Sequence, residues 1–400
     1  MPLSDERDEL ASSARRLLDR ASSSQAVREV LEGPTGHDPE LWRQMVELGW
    51  VGIHVPAELG GAGAGYIDLA VVLHELGRHV TPSPFLASAV LATGALLGAD
   101  NGDLRSEILP QLVAGERIGT AALSSTAGSS EVAALSAHWE HDGAGIALRG
   151  AAAFVPDADV ADVVVVAATG QDRTPVLALV ETSAPGVGIE AMATIDATRR
   201  LFSVSLDDVA VPESRMLCDP GPAAGAAIDH LVVLGAIAVA ADGVGVAEQV
   251  MQATGRYAQE RVQFGRPIGS FQAVKHHCAN MVIAVECSRA AVRAAVDALD
   301  DAGAGAGVAL AAAVATSYAG PACSQVCALG VQVHGGIGFT WEHDSHLYLK
   351  RAKLDEAWFG TPAWHRRRLA GAVFPAPSSP PSLAASSPVM DAVATAPVGT

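Results

Sequence analysis

Tyr257-Ala-Gln-Glu-Arg261-Val-Gln263-Phe264-Gly265-Arg266-Pro267-Ile268-Gly269-Ser270-Phe271-Gln272 is the stretch on which the reading of this chain turns. It joins two Ala-rich segments of helical pattern, so its amides and cations stand at a junction between helices. Arg261 offers a planar fork of donors suited to a pyrophosphate, and Gln263 and Gln272, flanking Phe264, can hydrogen-bond a neighbouring nucleotide group. Further on, Gln332-Val333-His334-Gly335-Gly336-Ile337-Gly338-Phe339 places a glycine pair where backbone can approach a dinucleotide closely. Taken singly, each motif has a plainer reading: Arg261 as a surface ion-pair residue, the glycines as a helix cap. Together the two motifs reinforce each other.

Outward from this junction, four long segments carry helical pattern, Ala223–Arg261, Ser270–Asp301, Gly307–Val331 and Trp358–Val373, and four such helices suggest a bundle. Residues 301–307 read as a helix-to-helix linker. Upstream, from about Glu116 to Leu217, short β-rich runs replace helix: Ile146–Gly150, Asp162–Ala168, Pro175–Val180 and Leu201–Leu206. His138-Trp139-Glu140-His141-Asp142-Gly143 has the residue types of a metal cluster, but Asp-Gly ahead of a strand is a hairpin signal, and the turn is preferred. The first segment, to about Ala114, is helical again, with Leu41–Trp50 and Tyr66–Gly77 showing apolar helical spacing. Between them Gly60–Gly65 lacks both a preceding strand and a following Lys-Ser/Thr, so it reads as a flexible connector and not a phosphate loop. The expected division is 1–115 helical, 116–217 β, 218–374 helical bundle, and 375–400 a Pro/Ser-rich disordered tail.

Composition narrows the function. Four hundred residues exceed one ordinary core, and a 50% hydrophobic, 4% aromatic composition is suited to close-packed helices. A formal net charge of −18 argues against nucleic acid or an anionic membrane surface as partner. Apolar runs such as Val232–Ala241 fall short of the roughly 20 residues of a membrane span, and the acidic start Met1–Leu10 is unlike a secretory signal, so a cytoplasmic location is expected. The five cysteines are expected to be reduced, with Cys323 and Cys327 as small core residues in preference to a two-thiol metal site. The His343/His346 pair within Trp341–His346 is likewise read as part of a helix start, with no metal expected.

The two nucleotide motifs resemble the signatures of the acyl-CoA dehydrogenase family, and the N-terminal run Leu41–Gly65 with Glu75–Arg78 is similar to that family's first domain, so the resemblance spans residues 1 to about 373. It implies a mainly α fold with an inserted β domain: an N-terminal helical domain, a central β-barrel-like domain and a C-terminal four-helix bundle. It implies FAD, whose ADP half is held by Arg261, Gln263, Phe264, Gln272, Gln332, Gly335 and Gly336 although most of the cofactor lies on a neighbouring subunit. It further implies an acyl-CoA thioester as substrate, α,β-dehydrogenation as the reaction, and an acceptor resembling electron-transfer flavoprotein.

The family's base is missing. That carboxylate stands either just before a Gly-Thr pair, here Gly360-Thr361 preceded by Phe359, or on the first bundle helix, here about Gly235; neither residue can take a proton. Asp229, Asp242, Asp355 and Glu356 are the nearest acids. Beside the flavin ring, the family's Thr-Glu-Pro-Gly-Ala-Gly-Ser-Asp is reduced to Leu123–Ser130, and its Trp-x-(Ser/Thr)-Asn to Ala153–Asp157. This pattern resembles the base-lacking subunit of heteromeric bacterial acyl-CoA dehydrogenases, whose partner is a homologous catalytic chain; some such pairs process sterol-derived acyl-CoAs. A homo-oligomer is the alternative to that pairing, and two other functions fit the sequence: an independent flavin oxidase, monooxygenase or carrier-linked dehydrogenase, and a non-catalytic binding or scaffold protein of the same fold.

Overall fold

A computed structural model describes residues 5–374; the segment 375–400, expected as a tail, lies outside the described residues. Six α-helices come first: α1 (Asp5–Ala21), α2 (Ser24–Glu32), α3 (Pro39–Glu47), α4 (Tyr66–Arg78), α5 (Thr93–Leu97, preceded by a π-helical run Leu86–Ala92) and α6 (Gly102–Val113). Start signals are local: Ser23, Asp38 and Asn101 each accept a backbone N–H from the first turn of α2, α3 and α6. The glycine-rich stretch after α3 is no loose tether. Ala62 N, Gly63 N and Ala64 N donate to Gly52 O, Val55 O and Ile53 O, closing it back on the chain.

Seven strands follow: β1 (Gly119–Ala122), β2 (Ala137–Asp142), β3 (Gly145–Pro156), β4 (Val163–Thr169), β5 (Pro175–Glu181), β6 (Val187–Ala191) and β7 (Leu201–Pro212). They form one curled sheet in the order β1-β4-β2-β3-β7-β6, with β5 antiparallel on β4. Segment 138–143 is the edge of a hairpin, as expected: Asp142 pairs with Gly145 across a turn in which Gly143 has φ 57°. Strand β4 is buried on both faces. Val163, Val165 and Ala167 face the core shared with the helices, while Val164, Val166 and Ala168 fill the sheet's own interior, the period-2 alternation of a strand.

The remaining helices are α7 (Pro222–Glu260), α8 (Gln272–Ala302), α9 (Ala306–His334), α10 (Ser345–Ala357) and α11 (Pro362–Val373), with a two-residue ribbon, β8 (Val262–Gln263) and β9 (Arg266–Pro267), between α7 and α8. The segment expected as a single fourth helix, Trp358–Val373, is corrected on two counts. A whole helix, α10, precedes it, and α11 starts only after Thr361, whose side chain accepts from Trp364 N at 3.2 Å. Helix α7 is the central strut. Its backbone meets that of α4 so closely that a Cβ on Gly245 would lie 2.0 Å from His74 O, and one on Gly77 2.1 Å from Asp242 O. An ion cluster locks the same crossing, with His74 2.8 Å from Glu248 and Arg15 2.6 Å from Glu75.

Counting uninterrupted apolar runs understated two helices. Pro222–Glu260 and Ala306–Phe339 meet the length and apolarity of a membrane span, although 67% of the apolar window of the first is buried inside the protein, as in a core helix.

Candidate functional site

The sequence motifs converge at one end of the bundle. Tyr257, in the last turn of α7, stacks on His334, the last residue of α9, with ring centroids 4.4 Å apart, and its hydroxyl donates to His334 O at 3.4 Å. Arg261 follows the first of these and Gly335 the second, so α7 and α9 deliver both motifs to the same place. The stretch Gln263–Arg266 turns through Phe264 (φ 52°) and Gly265 (φ 76°), the paired left-handed geometry of a tight hairpin. That turn projects Phe264, which is 91% exposed, into solvent.

Arg261, Gln263, Gln272 and Gln332 are all exposed, and Arg261 has no ion-pair partner among the described residues. The glycine pair is informative in its own right. Gly335 has φ 65° and so favours glycine for its backbone. Gly336 does not, and a Cβ there would meet nothing within 4 Å. Nothing in this chain requires the lack of a side chain at 336, which fits close approach by a group from outside it. The Gln263 amide is turned back onto Val262 O at 2.8 Å; an unpaired guanidinium, exposed amides and bare backbone are the donor set a dinucleotide phosphate needs.

The base positions lie elsewhere, at the junction of all three parts of the fold. Phe359, in the α10–α11 loop with φ 54°, is 5% exposed and stacks on Trp358 at 4.8 Å. Its ring covers Gly235 on α7, where a Cβ would fall 2.6 Å from Phe359 Cδ1 and Cε1. The structure thus joins the two sites that the sequence left without an acid. Of the four nearby acids, Asp229 is exposed, and Glu356 pairs with Lys353 at 2.8 Å, its carboxyl held low by that ammonium and by Ser324 against the opposing effect of burial. Asp242 and Asp355 are buried beside Arg199 and Arg351. Burial and the neighbouring Asp242 push the Asp355 carboxyl well up, while the two guanidiniums outweigh burial at Asp242 and keep it low.

Of the segments likened to the flavin-ring contacts, Ala153–Asp157 reaches this junction through Pro156 and Asp157, and Leu123–Ser130 meets that segment through Gly128. At the end of β3 a register shift between Ala152 and Val155 re-aims the strand; Phe154 takes φ 57° and rests on Gly128, and buried Pro156 has no N–H to offer. Ser124 and Ser130 bond to one another at 2.9 Å. The cavity left among Pro156, Asp157, Arg199, Asp242, Arg351 and Trp358 is about 20 Å³, room for about one water and far below the roughly 300–1,000 Å³ of a small-molecule site. What sequence reasoning missed is Arg351 with Asp196 and Thr198. No motif marks them, and only the fold brings them together.

The cysteines are free; Cys323 and Cys327 are buried, with burial pushing the Cys323 thiol up to about 12. In the 341–346 segment, His343 Nδ1 bonds Ser345 Oγ at 2.7 Å and His346 lies edge-on to Trp341; the helix there begins at Ser345.

Residues 226–374 match the family described as acyl-CoA dehydrogenase, C-terminal domain, and residues 4–116 the acyl-CoA dehydrogenase N-terminal domain. The chain belongs to the acyl-CoA dehydrogenase family, whose members are FAD-dependent oxidoreductases. Among its relatives, acyl-CoA dehydrogenase IpdE2 of Mycobacterium tuberculosis is 35% identical over 93% of this chain and 99% of its own length. Among solved structures, the Tcur3481-Tcur3483 steroid ACAD superposes with a TM-score of 0.84 at 33% identity, covering 93% of this chain and 98% of that one. The ChsE4-ChsE5 complex from Mycobacterium tuberculosis gives 0.85 at 28%, covering 94% and 99%.

Proposed function

We propose that this chain is one subunit of a FAD-dependent acyl-CoA dehydrogenase, paired with a homologous chain that carries the base, and that the pair introduces an α,β double bond into an acyl-CoA thioester. The observation that carries this reading is the contrast between its two sites: an open, unpaired nucleotide end around Arg261 and Gly336, and a closed junction in which Phe359 covers Gly235. Bound FAD supplies hydride acceptance from the β-carbon. The chain's own part is to hold it. Arg261 would hold its pyrophosphate with a planar fork of donors, the amides of Gln263, Gln272 and Gln332 would offer hydrogen bonds to the nucleotide, and Gly335–Gly336 would let backbone come close. Phe359 and Gly235 can neither accept nor hold the α-proton, so that proton goes to a carboxylate of the homologous chain.

Similarity to chains of the Tcur3481-Tcur3483 steroid ACAD and of the ChsE4-ChsE5 complex supports the two-chain arrangement, and similarity to the first supports a bulky, sterol-derived acyl group. Electrons would pass to an acceptor of the electron-transfer flavoprotein kind, and the location would be cytoplasmic. The test is the visible spectrum and flavin-to-chain ratio of the chain purified alone and co-purified with a homologous chain encoded beside it. Flavin in the joint complex only is expected; a full complement in the chain alone overturns the reading.

A further inference from the structure

Arg351, on α10, has a side chain only 2% exposed, and it is gripped from three directions. Nε donates to Asp196 Oδ2 and to Thr198 Oγ1, both at 2.9 Å; Nη2 donates to Thr198 Oγ1 at 2.7 Å and Thr198 O at 3.1 Å, and reaches Thr81 O at 3.4 Å; Nη1 lies 3.2 Å from Asp242 Oδ1. Thr81 follows α4, Asp196 and Thr198 belong to the β6–β7 loop, and Asp242 is on α7. One guanidinium therefore ties the N-terminal helices, the sheet and the bundle together. Arg199, from the same loop as Asp196, adds a second strand to the knot, 2.9 Å from Asp242 and 5.7 Å over the Trp358 ring.

A buried guanidinium in an interdomain cleft is a usual partner for an anionic or polar ligand, but here its donors are already taken by carboxylates and carbonyls of the same chain. To admit a ring-sized ligand the cleft would have to part pairs whose members cannot remain buried alone. We infer that Arg351, Asp196 and Asp242 form a built-in clasp that takes the place of a ligand, holding the three parts of the fold closed over this chain's own cleft with neither cofactor nor acyl group in it. The inference rests on the partner-subunit reading and gives it a structural cause. The chain keeps its shape while giving up its own site, and leaves only the Arg261 end for a shared cofactor.

Amide hydrogen exchange on the full chain tests it. In the wild-type chain alone, peptides covering 194–201 and 80–86 are expected to be protected, and addition of FAD and octanoyl-CoA should leave that protection unchanged. In the variant Arg351→Met/Asp196→Asn/Asp242→Asn, which leaves no charge at the three clasp positions, the same peptides should exchange at least about tenfold faster while α8 and α9 keep their rates. Unchanged protection in the variant overturns the clasp, and so does protection gained by the wild-type chain on adding FAD or octanoyl-CoA, a measurement that stands even where the variant does not fold. Flavin counting separates the two claims: two flavins per pair would sink the clasp and leave the pairing intact, whereas a flavinless pair with exchange as expected would sink the pairing alone.

Discussion

The ring of Phe359 rests on the backbone of Gly235, so closely that a β-carbon at 235 would lie 2.6 Å from two of its ring carbons. The side chain at one of the two places where a carboxylate could stand thus excludes any side chain from the other. A helix interior normally gains about 1 kcal/mol when glycine becomes alanine, whereas forcing atoms into a packed core costs about 1–3 kcal/mol. We expect Gly235→Ala to destabilise the chain by about 1 kcal/mol. Phe359→Ala alone should cost about 3–5 kcal/mol through the cavity it leaves. In that background the sign of Gly235→Ala should reverse, because the clash is gone and only the helix gain remains. A double-mutant cycle read by denaturant midpoints checks this, and additive effects would show that the two residues are not in contact.

Asp157 sets a pH dependence. It is half-buried with φ 48°, and burial pushes its carboxyl up to about 7, with Asp159 adding to the rise while Arg199, Arg351 and Arg200 oppose it. A carboxyl raised in the folded state binds its proton more tightly there than when unfolded. Its contribution is therefore complete below the unfolded value near 3.8 and is lost as pH climbs to about 7. Asparagine keeps the left-handed backbone and cannot ionise. We expect Asp157→Asn to leave stability at pH 4 nearly unchanged and to raise it at pH 8 by up to about 2 kcal/mol, allowing for partial exposure. Thermal unfolding at the two pH values decides; an equal shift at both would assign the effect to something other than the proton.

How much of this was legible in the sequence depends on whether the signal is local. The N-terminus of α7 sits at Pro222, a residue suited to the first helical position, and its end at Glu260 falls within one residue of where the pattern stops. The strands that alternate or run apolar, β4 and β5, were visible, and so was the β2–β3 turn. Helix α10 was not. Its sequence, Ser-His-Leu-Tyr-Leu-Lys-Arg-Ala-Lys-Leu-Asp-Glu-Ala, buries Arg351 and Asp355 on the face that an apolar stripe would normally mark. Arg351 is interior because its partners, Asp196 and Asp242, come from elements 155 and 109 residues away, and Asp355 stands 3.8 Å from Arg199 of the β6–β7 loop. Arg261 and Gly335–Gly336 could be singled out because each belongs to a contiguous motif; the cluster around Arg351 could not, because no contiguous stretch contains it.

Arg261 separates binding from folding. It is exposed and unpaired among the described residues, so Arg261→Ala should change the stability of the isolated chain by no more than about 0.5 kcal/mol. In the joint complex, on the proposed reading, the same change should remove a bidentate charge-assisted contact worth about 1.5–3 kcal/mol, a loss of roughly 10- to 150-fold in FAD affinity. Arg261→Lys should recover only part, since an ammonium lacks the fork. Flavin release measured by fluorescence gives the affinities. Full recovery by lysine would mean that Arg261 contributes charge alone.

Gly336 gives the sharpest contrast, because its two roles predict opposite outcomes. If the glycine serves this chain's own packing, alanine there should destabilise it; but a Cβ at 336 meets nothing within 4 Å, and the backbone is not in the left-handed region. We therefore expect Gly336→Ala to fold with stability within about 0.5 kcal/mol of wild type, like other surface changes. Gly335→Ala, at φ 65°, should by comparison lose about 1 kcal/mol or more through strain alone. In the joint complex the order should invert for the ligand: the added methyl of Gly336→Ala stands where a dinucleotide would touch bare backbone, so flavin retention should fall at least about tenfold with no loss of folding. Retention equal to wild type would show that nothing approaches the backbone at 336.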